Sequence, residues 1–86
     1  MRDLERTLKA LANRRRLAIM KYLKEEREAS VGKIAGAIRL SFKSTSRHLA
    51  VLHAADLVDR DQRDLQVFYR LANTARPAAR AIITIL

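Results

Sequence analysis

Ser41-Phe42-Lys43-Ser44-Thr45-Ser46-Arg47-His48-Leu49-Ala50-Val51-Leu52 opens on a side chain suited to capping a helix, then repeats core-type residues at helical spacing. At about 100° per residue, Thr45, Leu49 and Leu52 share one side, which is expected to face a core. The opposite side presents Lys43, Arg47 and Ala50, flanked by Ser44, Ser46 and Val51. His48 lies between the two.

Working upstream, Arg39-Leu40 leads straight into Ser41 from another helix, which Ser30 caps and whose apolar stripe is Val31, Ile34 and Ile38. Two helices joined by so short a turn, the second polar and basic outside, read as a helix-turn-helix. Leu4, Leu8 and Leu11 predict a first helix over about residues 3–12. Asn13 caps a second, buried through Leu17, Met20 and Leu23, that decays into Lys24-Glu25-Glu26-Arg27-Glu28. Downstream of Asp56 the period changes. Leu57-Val58 starts an extended segment, Arg60 to Asp64 is polar, and Gln66-Val67-Phe68-Tyr69-Arg70-Leu71 resumes β-prone residues, which makes a hairpin. A last helix is expected from Thr74 to Leu86, with Pro77 in its first turn and Ile82, Ile83, Ile85 and Leu86 too apolar for water. The fold class is mainly α with a small β-hairpin: a winged helix-turn-helix of about five helices plus a two-stranded wing. It is one domain, residues 1–86, without repeat, linker or low-complexity segment.

A chain of 86 residues buries only somewhat more than about 60% of its extended surface, so its own core is marginal and dimerisation is a natural way to bury more. Its 18 Lys+Arg against 9 Asp+Glu give a formal charge of +9. The charge is uneven: no acid occurs between Glu28 and Asp56, where Lys33, Arg39, Lys43 and Arg47 lie. A basic, acid-free stretch suits a polyanion, nucleic acid first and an anionic membrane second, unless it is simply a solvated surface. The absence of cysteine removes disulfides, thiolate metal sites and thiol redox switches. No apolar run approaches the roughly 20 residues of a membrane span and no signal-peptide core is present, so a cytoplasmic, nucleoid-associated protein with no membrane partner is expected.

On the outer side of the Ser41–Leu52 helix, Arg47 and Lys43 can donate to the O6 and N7 of guanine or to phosphates. Ser41, Ser44 and Ser46 can bond base edges or phosphates, and Ala50 lets the backbone come close. Solvation, or pairing with an acid elsewhere, is the alternative for Arg47. Ser41 is foremost a cap. His48 reads as a packed or phosphate-bonding residue rather than a metal ligand. Arg60, Gln62 and Arg63 place a second, weaker contact on the wing, although Asp59, Asp61 and Asp64 nearly neutralise it. No nucleophile–base pair, phosphate-cradling Gly loop or carboxylate pair marks an enzyme, and no cofactor is expected.

These blocks resemble the ArsR/SmtB family of winged-helix repressors over about residues 4–71. Leu8-Lys9-Ala10-Leu11-Ala12-Asn13-Arg14-Arg15-Arg16-Leu17-Ala18-Ile19 is similar to the family's opening "L-ADPTRLxIL". Leu40-Ser41 with Thr45-Ser46-Arg47-His48-Leu49-Ala50-Val51-Leu52 resembles "LSxxxVSRHLxVL". Ala55-Asp56-Leu57-Val58 stands for "AGLV", and Phe68-Tyr69-Arg70-Leu71 for "YYRL". The resemblance implies a homodimer joined through the first and last helices (residues 1–12 and 74–86) that represses transcription from an inverted-repeat operator in double-stranded DNA. Leu4, Leu8, Leu11, Ile82, Ile83, Ile85 and Leu86 are then the interface. A non-specific architectural DNA-binding protein and a winged-helix protein-interaction module are the alternatives.

Departures from the family pattern bear on regulation. Where the family's thiolate sensor reads "ELCVCDLC", this chain has Glu28-Ala29-Ser30-Val31-Gly32-Lys33-Ile34-Ala35, so Ser30, Gly32 and Ala35 fill the ligand positions. The family's Asp/His/Glu site on the last helix has no counterpart, because no acid or histidine follows Asp64. Metal binding by the family's known sites is therefore not expected. Arg39, Asp56 and Asp64 stand where the family commonly has Gly, which a left-handed backbone tolerates for Asp better than for Arg.

Overall fold

The Asn13 side chain accepts from the backbone N–H groups of Arg15 and Arg16 at 2.9 and 3.1 Å, which ends one helix and starts the next. The computed structural model describes residues 1–73 and 76–86. In chain order it forms α1 (Arg2–Leu11), α2 (Arg14–Glu26), β1 (Glu28–Ser30), α3 (Val31–Ile38), α4 (Phe42–Ala54), β2 (Val58–Arg63), β3 (Gln66–Leu71) and α5 (Pro77–Ile85). The expected last helix starts later than Thr74, which itself lies outside the described residues; Pro77 is its first residue.

The helix-turn-helix is α3 and α4. Ser30 Oγ accepts from Lys33 N at 3.2 Å and Ser41 Oγ from Ser44 N at 3.1 Å, so both expected caps form. Between them α3 ends in a Schellman motif: Leu40 N donates to Ala35 O at 3.0 Å and Arg39 N to Gly36 O at 3.4 Å. Its left-handed residue is Arg39, at φ 56°. α4 ends the same way around Asp56 (φ 60°), with Leu57 N on Leu52 O at 2.9 Å. Asp64, at φ 55°, opens the two-residue loop of the hairpin. All three positions at which the resemblance puts glycine thus carry a left-handed backbone on a larger residue.

The sheet has one strand more than the wing alone supplies. Its order is β1-β3-β2, antiparallel throughout, with Ala29 opposite Tyr69 in one pair and Arg60 opposite Tyr69 in the other. The chain leaving α2 turns at Arg27 (φ 71°) and runs along the free edge of β3 before entering α3. β1 therefore covers that edge and ties the base of the wing to the helices.

Ile19, Met20, Leu23, Ile34, Leu49, Leu52, Leu57 and Val58 form the centre of the core, each no more than 1% exposed. Thr45 is equally buried, and its hydroxyl has no hydrogen-bond partner among the described residues. Leu11 also belongs to this core, whereas Leu4, Leu8 and Ile85 are exposed on α1 and α5, which pack on each other. Ile82, Ile83 and Leu86 are half-buried against the same core.

Candidate nucleic-acid interface

α4 is fixed from behind. Thr45, Leu49 and Leu52 are wholly buried, so the helix cannot rotate without exposing them. Its other side is left open: Lys43, Arg47 and Ala50 are exposed, and Ser44 and Ser46 are half-buried beside them. Among the described residues no acid pairs with Lys43 or Arg47. The first turn of α4 contains no acid, so the free N–H groups at its start add partial positive charge to the same face. Ser41 Oγ accepts from the backbone and keeps its own hydroxyl proton to donate outward.

The wing is organised differently. Arg60 and Gln62 are exposed, but Arg63 is bound within the protein. Its Nη1 and Nη2 donate to both carboxylate oxygens of Glu28 at 2.8 and 2.6 Å, and its Nε to Asp61 at 2.9 Å. The guanidinium also lies 4.7 Å from the centre of the Phe68 ring. Those hydrogen bonds, with the charges of Arg63 and Arg70, hold the Glu28 carboxyl below its usual 4.5. The third wing candidate is thus a brace from β2 to β1, and β1 is a strand that the sequence did not predict.

Between α4 and the wing lies a groove of about 330 Å³ lined by Val31, Phe42, Ser46, Arg60, Leu65 and Tyr69. Phe42 and Leu65 are exposed in it, at 63% and 99%. Phe42 escaped the sequence reading, though its signal was present: at i+3 and i+4 it meets only Thr45 and Ser46, so it has no apolar neighbour on its helix.

On the other side of α4, Arg16 Nη1 meets His48 Nδ1 at 3.2 Å. Burial of the ring, then the charges of Arg16 and Arg15, lower the His48 pKa below its usual 6.5. Arg16 had no role in the sequence reading beyond its place in a motif. Nothing local reveals it, because its partner is 32 positions away. Among the described residues, no group of three or more His, Cys, Asp or Glu side chains comes together, and no helix is long and apolar enough to cross a membrane.

The family model for bacterial regulatory proteins of the arsR family matches residues 13–60, from the α2 cap through α4 into the wing. The chain belongs to this family. Solved structures agree with it along nearly the whole length. Reduced HlyU from Vibrio cholerae is 36% identical with a TM-score of 0.84, over 98% of this chain and 84% of that one. The homodimeric winged helix-turn-helix DNA-binding domain of a possible ArsR-family transcriptional regulator from Mycobacterium bovis is 29% identical, with a TM-score of 0.80 over 96% and 73%. The transcriptional repressor PagR of Bacillus anthracis is 25% identical, with a TM-score of 0.81 over 98% and 92%. No curated protein sequence matches the chain. As a member of the arsR family this is a DNA-binding transcriptional regulator with a winged helix-turn-helix fold, and not an enzyme.

Proposed function

We propose that the chain is a repressor that reads an inverted-repeat operator as a homodimer, with α4 in the major groove. The observation that carries this is the face of Lys43, Arg47 and Ala50: exposed, unpaired with any acid among the described residues, and mounted on a helix that its buried side cannot release. Arg47 is assigned to guanine edges, Lys43 to a phosphate or base, and Ser41, Ser44, Ser46 and His48 to the backbone or base edges bordering them. Arg60 and Gln62 reach the neighbouring backbone from the wing. Arg63 supports them through Glu28.

The homodimer reading draws on the exposed Leu4, Leu8 and Ile85 and on the M. bovis domain, which is described as homodimeric. Leu11 acts there from within, by holding α1 to the core. Repression draws on PagR, described as a repressor. Such a protein works where the DNA is, in the cytoplasm. Serine, glycine and alanine at positions 30, 32 and 35 leave the family's thiolate metal site without ligands, so release from DNA depends on something else.

Selection of bound duplexes from a random-sequence pool tests the whole reading at once. The expected product is an inverted repeat with half-sites about one helical turn, roughly 34 Å, or a multiple of it apart. A pool that stays random after repeated rounds, despite binding, would contradict sequence-specific recognition.

A further inference from the structure

Arg16 and His48 meet where the start of α2 packs on the middle of α4. A guanidinium offers only N–H groups, so the ring nitrogen facing it has to be an acceptor. His48 Nδ1, at 3.2 Å, therefore carries a lone pair, and the single ring proton sits on Nε2. Arg16 cannot easily turn away. Its Nε donates to the Ala10 carbonyl at 2.5 Å and its Nη2 to the Lys9 carbonyl at 3.4 Å, so the end of α1 fixes the guanidinium. Among the described residues, His48 Nε2 has no protein partner. The ring is half-buried, one turn after Ser44 on the same flank of α4 and next to Arg47 in sequence.

We propose that Arg16 is a positioning residue of the DNA-binding face: it holds His48 as the neutral Nε2–H tautomer, which gives the DNA backbone one fixed, uncharged donor. This rests on α4 lying against DNA as proposed above. The charged groups acting on the ring are Arg16 and Arg15 of α2; among the described residues α1, α3 and β2, which also pack on α4, bring no carboxylate to it. Protonating Nδ1 would set an N–H against the guanidinium and break the bond that orients the ring. An uncharged donor also has a thermodynamic signature. It adds affinity for phosphate without displacing a counterion, so it does not steepen the dependence of binding on salt.

The first test needs no DNA and no variant. Long-range proton–nitrogen correlation spectra of the full chain at about pH 7.5 are expected to show His48 with its proton on Nε2. A proton on Nδ1, or on both nitrogens, overturns the proposal. The second test uses the selected duplex. His48→Asn is expected to bind about tenfold more weakly with an unchanged salt slope, and His48→Gln, which keeps a donor near the Nε2 position, to retain most of the affinity. A slope that falls by about 0.9 in His48→Asn identifies a cationic contact and overturns the proposal. Acidification to about pH 6 is expected to strengthen binding by Arg16→Gln more than binding by the parent, because the variant's ring has lost one of the groups that oppose its protonation. If Arg16→Gln and the parent have the same pH profile, Arg16 does not position the ring. A parent that binds no duplex overturns the function proposed above and the DNA half of this inference together, whereas the tautomer result is decided separately.

Discussion

α4 and the wing each carry an exposed arginine, Arg47 and Arg63, and the two are held in opposite ways. Arg47 projects from a helix whose far side is sealed in the core, and no acid among the described residues reaches it. Arg63 is gripped by both oxygens of Glu28, by Asp61 and by the face of Phe68. A cation that is already satisfied must give up those bonds before it can meet a phosphate, so its net worth to DNA is small. A free one loses only water. The count of basic residues in a segment therefore says less about binding than which of them the fold has already used.

Arg47→Ala should produce the largest effect. Losing a bidentate contact to a base costs about 1–3 kcal/mol, so affinity for the selected duplex is expected to fall by about fivefold to 150-fold. Fluorescence anisotropy measures this, and sedimentation checks that the dimer persists. Unchanged binding would mean that the reading face lies elsewhere. Arg60→Ala is expected to weaken selected and random duplexes alike and to lower the salt slope by about 0.9, the mark of one lost phosphate contact.

Thr45→Val separates the buried side of α4 from its open side. The Thr45 hydroxyl is fully buried and has no partner among the described residues. Replacing it with a methyl group should stabilise the protein by about 1 kcal/mol and raise Tm by about 4–8 °C, with DNA affinity unchanged. A fall in stability would show that the hydroxyl is satisfied after all. The smallest effect on binding belongs to Arg63→Ala, expected to stay within about twofold of the parent near neutral pH, since exposed ion pairs contribute little. If Arg63→Ala is more damaging than Arg60→Ala, the contrast between the two regions is wrong. Acid should loosen the wing in the parent. Arg63 lowers the pKa of Glu28, so the folded state binds fewer protons there; that stability is present above about pH 4.5 and is lost as pH falls through the lowered value. Hydrogen exchange in β1 and β3 is expected to accelerate on acidification in the parent and to change less in Glu28→Gln.

Short-range chemistry was legible in the sequence. Asn13, Ser30 and Ser41 announce helix starts because a capping oxygen acts within three residues, and all three accept from the backbone as expected. Thr45, Leu49 and Leu52 announce the buried side of α4 because a helix of known pitch has only one way to face a core. Among the described residues with positive φ, the resemblance located Arg39, Asp56 and Asp64; Arg27, which turns the chain into β1, was missed. β1 itself was not legible. Glu28, Ala29 and Ser30 have little preference for strands, and only the open edge of β3 makes them one. The same limit hid both arginine pairings, since Arg16 to His48 and Arg63 to Glu28 span 32 and 35 positions. The place of Leu11 in the core, rather than in an interface, likewise depends on how α1 docks.

The most direct measurement compares the two arginines in one experiment. In a titration of the isotope-labelled chain with the selected duplex, the side-chain Nε–H signal of each can be followed by NMR. The account predicts that the Arg47 signal shifts and becomes protected from solvent exchange while the Arg63 signal stays where it is. An Arg63 signal that moves while Arg47 remains solvent-like would contradict it.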